Sequence, residues 1–137
     1  MSALYVDSSF QPSLLFGEME SEKYLTYWDK PLPRFSSILL QTEATVALHR
    51  HKAHAGVWRL MDTLMETVGL RIVDTRIAAR IRGDRRFGRL RSLDAIHLAT
   101  ACEIRDAIEE PLEIACLDSR LRDAATSFGF AFVPREP

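Results

Sequence analysis

Cysteine and long apolar segments are both scarce in this chain of 137 residues. Its two cysteines, Cys102 and Cys116, lack the paired C-x-x-C spacing, so the sequence indicates neither a disulfide framework nor a zinc site. No apolar run approaches the roughly 20 residues of a membrane span, and no basic leader precedes the first apolar residues. We therefore expect one soluble domain over residues 1–137, with reduced thiols in the cytoplasm.

Lysine is also scarce, whereas arginine is abundant and clustered. Fifteen of the eighteen basic residues are arginine, although the formal net charge is only −1. Residues 71–91 hold eight arginines against two acids, while residues 103–113 hold five acids against one arginine. Guanidinium groups suit phosphate, so the arginine strip of residues 71–91 favours contact with nucleic acid. A solvated helix face is the common alternative.

Asp94 lies in the first turn of a predicted helix. Ser92 suits the N-cap, and residues at helical spacing predict one buried face, made of Leu93, Ile96, Thr100, Ile104 and Ala107. The positive end of the helix dipole favours an ionised carboxylate at Asp94, and a rigid carboxylate is a ligand for a hard divalent cation. Taken alone, Asp94 is more simply explained as a surface acid that complements the dipole.

Short apolar strands alternate with helices along the rest of the chain, which predicts a three-layer α/β domain with a mostly parallel sheet. Ser37 and Thr75 are predicted N-caps, and Gly69 is a predicted C-cap. The predicted strands cover residues 3–6, 34–36, 70–73, 114–117 and 130–133, and the predicted helices cover 10–16, 18–29, 38–54, 57–68, 76–82, 92 onward and 119–127.

Three further acids occupy positions where ligands bind in such a sheet. Asp7 and Asp118 each follow a predicted strand, and ligands bind at the carboxyl ends of parallel strands. Glu43 falls inside the apolar stripe of its helix, where a carboxylate is costly unless it is paired, protonated or bound to a metal. Each also has a simpler explanation: a turn for Asp7, a helix cap for Asp118 and the edge of the stripe for Glu43.

The histidines give a weaker metal signal. His49, His51 and His54 lie near the end of one helix, but only the last two share a face and no acid flanks them. A solvated or RNA-facing surface is therefore favoured over a zinc site. His97 lies one turn after Asp94, and we interpret it as a satisfied histidine at the edge of the packed face.

The chain resembles a PIN domain, and most closely the VapC-like toxins of type II toxin–antitoxin pairs, over almost its whole length. The resemblance rests on Tyr5-Val6-Asp7-Ser8-Ser9, the helix that bears Glu43, Leu90–Ala99 and Leu117–Leu121. It implies a metal-dependent ribonuclease, a hydrolase of phosphodiester bonds, with Mg²⁺ or Mn²⁺ held by Asp7, Glu43, Asp94 and Asp118 and with Ser9 in support. Oxygen ligands without paired His or Cys suit those two ions.

The resemblance also implies partners. An RNA substrate would lie against the arginine strip, at Arg82, Arg85, Arg86, Arg89 and Arg91. A cognate antitoxin and a homodimer are expected as well, and no membrane. The main alternative is a non-catalytic PIN-fold module that binds RNA or protein. A phosphoacceptor domain and an aspartyl-nucleophile phosphatase are disfavoured, because Asp7-Ser8-Ser9 supplies no second acid and no lysine lies beyond Lys52.

Overall fold

The computed structural model describes residues 2–10 and 31–133. Within them, five parallel strands form one sheet in the order β3-β2-β1-β4-β5. The predicted α/β class with a parallel sheet is confirmed. The strands are β1 (Ala3–Val6), β2 (Arg34–Ser37), β3 (Val68–Arg71), β4 (Leu112–Ala115) and β5 (Ala131–Val133), and the helices are α1 (Ile38–Arg50), α2 (Ala55–Glu66), α3 (Thr75–Arg82), α4 (Ser92–Ala107) and α5 (Ser119–Thr126), with short 3-10 helices at Ser8–Phe10 and Arg85–Arg89.

The sheet is covered on both faces, which explains why β1 is apolar at every position. On one face Tyr5 and Ile114 share a core with α3, α4 and α5. On the other face Leu4 and Val6 pack with Leu40 of α1 and with partly buried residues of α2. Successive side chains of a strand point to opposite faces, so an all-apolar strand fits a sheet between two helical layers. None of the helices described is both long and apolar enough to span a bilayer.

Helix boundaries differ from the predictions where local hydrogen bonds end a helix early. α1 ends at Arg50 rather than near residue 54, because Lys52 adopts a positive φ of 48° and the His54 side chain accepts a hydrogen bond from Gly56 to cap α2. Ser37 is confirmed as the N-cap of α1, since its Oγ accepts from the N–H of Leu39 at 3.1 Å.

Three other predicted caps were wrong. Gly69 is not a C-cap but a residue of β3, and Thr67 ends α2. Asp74 rather than Thr75 caps α3, because its Oδ1 accepts from two N–H groups of the first turn. Ser92 is the first residue of α4 rather than its cap, so Asp94 is the third helical residue.

The buried surface of α4 is wider than a single stripe. Leu93 and Ala107 are exposed, contrary to the prediction, and Ile96 is half-buried. The helix packs against both β2 and α3 and also touches α5 and β4, so it is enclosed on several sides. Its buried residues are Ala95, His97, Leu98, Ala99, Thr100, Ala101, Cys102 and Ile104.

The last predicted strands lie close to their expected positions. β4 ends at Ala115, which leaves Asp118 beyond the strand as the N-cap of α5. β3 and β4 each begin two residues earlier than predicted. Of the helix predicted over residues 10–16 only Phe10 is described, and it ends a 3-10 helix; the rest of that helix and the helix predicted over residues 18–29 lie outside the described residues.

Candidate active site

Asp7 lies at the carboxyl end of β1, the central strand of the sheet. Its N–H donates to the carbonyl of Ala115 at 3.0 Å, and its side chain is almost fully buried. Oδ2 accepts hydrogen bonds from the N–H of Ser9 at 3.1 Å and from its Oγ at 2.5 Å. Oδ1 is also buried, but no described residue donates a hydrogen bond to it. An unsatisfied buried carboxylate oxygen is costly, and a cation is one partner that would offset that cost.

Ser9 connects Asp7 to the segment that follows β4. Its Oγ donates to Asp7 and accepts from the N–H of Leu117 at 2.9 Å. The Cys116 thiol lies 3.5 Å from the same Asp7 oxygen, and burial raises the pKa of this thiol to about 12. It therefore stays protonated and can donate. From the sequence, Cys116 is predicted only to be a reduced thiol. Its contact with Asp7 could not be predicted, because no sequence motif indicates such a pair.

Glu43 is paired rather than exposed at the edge of its helix. Its Oε1 lies 2.7 Å from Nε2 of His97, whose Nδ1 lies 2.8 Å from the hydroxyl of Tyr5. Burial alone would raise the pKa of Glu43, but its hydrogen bonds with His97 and with the Ser8 hydroxyl hold it below its usual value. Glu43 is therefore ionised. The expectation that His97 is satisfied is confirmed, although its ring is fully buried rather than at the edge.

The pKa of Asp94 depends on its burial and on the charges of the other carboxylates. Its own burial raises its pKa, and the negative charges of Asp7 and Asp118 raise it further, with a smaller contribution from Glu43. Asp94 also lies one turn before His97 on α4, and His97 contacts Glu43 of α1, which brings Asp94 and Glu43 to neighbouring helices at this edge.

Asp118 begins α5 beside the end of β4. Its Oδ1 accepts from the N–H of Arg120 at 2.8 Å and of Leu121 at 3.4 Å. Its own N–H points at the sulfur of Cys116, 3.3 Å away. The simpler explanation from the sequence, a helix cap, is thus correct, and the cap also fixes the carboxylate at the carboxyl edge of the sheet.

Asp7, Glu43, Asp94 and Asp118 share this edge but are not gathered into a closed ligand set. Over residues 2–10 and 31–133, no group of three or more His, Cys, Asp or Glu side chains is placed so that it could hold a metal ion as it stands. The donor chemistry nevertheless fits a hard divalent cation, because it consists of carboxylate oxygens. The buried, unpaired Oδ1 of Asp7 and the mutual repulsion felt by Asp94 support the same fit.

Part of the arginine strip belongs to the fold. Arg80 forms hydrogen bonds with Glu103 at 2.6 and 2.8 Å and also contacts Asp106, and Arg76 lies 3.2 Å from Glu103. Arg71 lies 3.3 Å from Asp74. The basic and acidic segments that are separate in the sequence therefore neutralise each other where α3 packs on α4.

The remaining arginines fall into two groups. Arg86 is engaged: it contacts Asp84, donates to the carbonyl of Ser127 at 2.5 Å and lies 3.8 Å above the Phe128 ring. The others are exposed, and none has an ion pair or hydrogen bond with another described side chain; they are Arg82, Arg85, Arg89 and Arg91. Arg82 and Arg85 also line an apolar cavity of about 680 Å³ between α3 and α4, which none of the four carboxylates lines.

Two of the histidines near the end of α1, His49 and His54, make contacts that stabilise the fold. His49 packs edge-on against Trp58 with ring centroids 5.0 Å apart, and His54 caps α2. In the part of the chain that the structure describes, they belong to no metal-holding group.

A parallel sheet with acidic side chains at its carboxyl edge defines a class of α/β domains, and comparison with known families identifies this one. The PIN domain family matches residues 4–126, and the chain belongs to that family. It is 34% identical to Ribonuclease VapC46 of Mycobacterium tuberculosis over 138 residues, which cover 97% of this chain and 98% of that protein. No solved structure matches significantly. The resemblance drawn from the four sequence segments is thus confirmed.

Proposed function

We propose that this protein is a metal-dependent endoribonuclease and the toxin of a type II toxin–antitoxin pair. Membership of the PIN family and the similarity to a ribonuclease of the VapC group support the class of reaction. The observation that carries the proposal is the carboxylate Asp7, which is buried, fixed through Oδ2 by Ser9, and left without a hydrogen bond at Oδ1.

Asp7, Glu43, Asp94 and Asp118 are the residues that would hold Mg²⁺ or Mn²⁺. When bound, such a cation offsets the carboxylate charge, lowers the pKa of water and stabilises charge that develops on a phosphodiester. The protein supplies orientation: Ser9 and Cys116 fix Asp7, and the first turn of α5 fixes Asp118.

Asp94 and Glu43 differ in how their surroundings shift their pKa values. The ionised form of Asp94 is disfavoured, because burial and the charges of Asp7 and Asp118 raise its pKa. A divalent cation would reverse that preference and keep Asp94 ionised. Glu43 is already ionised through His97, so it contributes a negative charge before any ligand arrives.

The RNA backbone would be held by exposed arginines. Arg82, Arg85, Arg89 and Arg91 are exposed and make no ion pair with the described residues. Arg86 contributes to the fold first, since its guanidinium is already engaged with Asp84, Ser127 and Phe128. Contacts of this kind bind phosphates without reading the base sequence.

The remaining features follow from the toxin assignment. We propose a cognate antitoxin that covers the acidic edge, a homodimer, a cytoplasmic location and a single domain over residues 1–137. A mixed pool of tRNA and ribosomal RNA, incubated with antitoxin-free protein in Mg²⁺, Mn²⁺ or EDTA, tests the activity directly. Discrete fragments that require metal are expected.

Two variants make this test specific. Asp94→Asn removes a candidate ligand and is expected to abolish cleavage, while Asp62→Asn makes the same change at an exposed position of α2 and should leave cleavage intact. Intact RNA with folded, Mn²⁺-binding protein would instead support a non-catalytic RNA- or protein-binding module.

A further inference from the structure

Tyr5 and His97 form a buried chain of hydrogen bonds that ends at Glu43. The Tyr5 hydroxyl lies 2.8 Å from Nδ1 of His97, and Nε2 of the same ring lies 2.7 Å from Oε1 of Glu43. Tyr5 and His97 are 1% and 0% exposed, so neither exchanges these partners with bulk water. The chain joins β1, α4 and α1, three elements that are distant in the sequence.

The Tyr5 hydroxyl is a proton donor in this environment. The phenol is almost fully buried, and its oxygen lies 2.8 Å from Nδ1 of His97. Two neighbouring hydroxyls donate elsewhere: Ser36 to the carbonyl of Val6, and Thr100 to that of Ile96 in its own helix. Among the hydrogen bonds of the described side chains, the Tyr5 hydroxyl pairs with Nδ1 of His97, which can accept its proton.

The other nitrogen of His97 faces an acceptor. Oε1 of Glu43 lies 2.7 Å from Nε2, and a glutamate carboxylate at neutral pH has no hydrogen to donate, so it accepts. Nε2 of His97 must then carry the hydrogen, and Nδ1 must be free to accept from Tyr5. The opposite tautomer would place a lone pair of Nε2 against the carboxylate at 2.7 Å.

We propose that Tyr5 and His97 are positioning residues, which hold the Glu43 carboxylate at the acidic edge by fixing the Nε2–H tautomer of His97. The inference rests on the proposed role of Glu43 as a metal ligand. It assigns to two buried residues a task beyond packing, since a hydrogen bond from the Tyr5 hydroxyl to Nδ1 favours the tautomer in which Nε2 donates to Glu43. Residues that orient a ligand in this way typically change metal affinity by about 10–100-fold when they are altered.

Nitrogen NMR of histidine-labelled protein in EDTA tests the tautomer without metal or RNA. His97 is expected to show a protonated Nε2 and an unprotonated Nδ1, with its signals assigned by their loss in His97→Gln. A protonated Nδ1, whether or not Nε2 is also protonated, would overturn the proposal.

Mn²⁺ binding, measured by electron paramagnetic resonance, tests the consequence. Tyr5→Phe removes one hydroxyl and should weaken Mn²⁺ binding roughly tenfold, and His97→Leu should weaken it at least as much. His97→Gln should recover part of the affinity, because its amide N–H can replace Nε2–H. Ile104→Val, which removes a buried methylene from the same helix, should leave Mn²⁺ affinity unchanged.

The outcomes separate positioning from packing and from the ribonuclease proposal. Should Tyr5→Phe lower thermal stability yet bind Mn²⁺ as tightly as the parent, the two residues only pack and the inference is wrong. It is equally wrong if Glu43→Gln leaves Mn²⁺ affinity unchanged. A parent protein that shows the expected tautomer and affinities but cleaves no RNA would contradict the ribonuclease proposal alone.

Discussion

Nε2 of His97 lies 2.7 Å from Oε1 of Glu43, across a separation of 54 residues in the sequence. The contact fixes α1 to α4 at the edge where Asp94 begins its helix. The pKa values of the two acids shift in opposite directions: the hydrogen bond with His97 lowers that of Glu43, whereas burial and the charges of Asp7 and Asp118 raise that of Asp94. Opposite shifts predict opposite effects of neutral substitutions on stability.

Asp94→Asn is expected to stabilise the metal-free protein at pH 7. The folded state binds a proton at Asp94 more tightly than the unfolded state, so the ionised form opposes folding above the folded-state pKa, and stability rises as the pH falls through it. Because solvent screens a partly exposed group, we expect only about 1–3 °C in melting temperature. Calorimetry in EDTA measures the melting temperature, with Asp62→Asn as the control. A melting temperature of Asp94→Asn below that of the parent protein at pH 7 would contradict the prediction.

Glu43→Gln should have the opposite effect. A lowered pKa means that the carboxylate contributes stability above its unfolded-state pKa, and this is lost as the pH falls through the folded-state value. We expect a loss of about 1 kcal/mol or less at pH 7, because glutamine can still accept a hydrogen bond from His97. Urea unfolding in EDTA at neutral and at acidic pH checks this. Equal losses at both pH values would argue against an ionised Glu43.

Arg86→Ala should destabilise the fold, whereas Arg85→Ala should not. The Arg86 guanidinium contacts Asp84, the carbonyl of Ser127 and the ring of Phe128. Loss of the cation–π contact and of a charged hydrogen bond is expected to lower the urea midpoint of Arg86→Ala, whereas that of Arg85→Ala should stay close to the parent value, because Arg85 is exposed and unpaired within the described residues. Urea unfolding of both variants decides the point, and equal stability would show that the Arg86 contacts contribute nothing.

Arg85→Ala with Arg89→Ala should reduce the salt dependence of RNA binding. Each lost phosphate contact to a single strand lowers the slope of log K against log salt by about 0.7. Arg76→Ala is the matched control, because Arg76 is paired with Glu103 and should leave the slope nearly unchanged. Filter binding with Asp94→Asn protein at several salt concentrations avoids cleavage. A slope that is the same in the double variant would exclude these arginines from the RNA contact.

The two thiols should be protected in the folded protein. Cys102 and Cys116 are both buried, and burial raises the pKa of Cys116 to about 12. Since the thiolate is the reactive form, alkylation of a Cys102→Ser protein at pH 8 should be at least about 100-fold slower in buffer than in urea. Mass spectrometry over time follows the modification. Rapid labelling of the native protein would show that the segment around Cys116 opens, and Asp7 with it.

Much of the fold could be predicted from the sequence because its signals are local. The apolar run of β1 and the Ser37 cap each depend on a few neighbouring residues. Parallel strands followed by acids placed Asp7 and Asp118 at one edge, since all strands of such a sheet end on the same side.

Tertiary contacts decided what lies around those acids. Whether Glu43 was paired, protonated or exposed depended on His97, which belongs to a helix that the sequence alone could not place beside it. The position of Cys116 beneath Asp7 follows from the register of β1 against β4. Tertiary contacts also separate the paired arginines of the strip from the exposed ones, because α3 packs on α4 and thereby brings Arg76 and Arg80 to Glu103.

The sequence by itself therefore determined the class of fold, its family and the four acids at its edge, because hydrophobic periodicity, caps and short motifs act over a few residues. Only the tertiary structure decided the partners of each side chain: His97 for Glu43, Ser9 and Cys116 for Asp7, and Glu103 for part of the arginine strip. Those partners come from strands and helices far apart in the chain, and packing alone brings them within hydrogen-bonding distance.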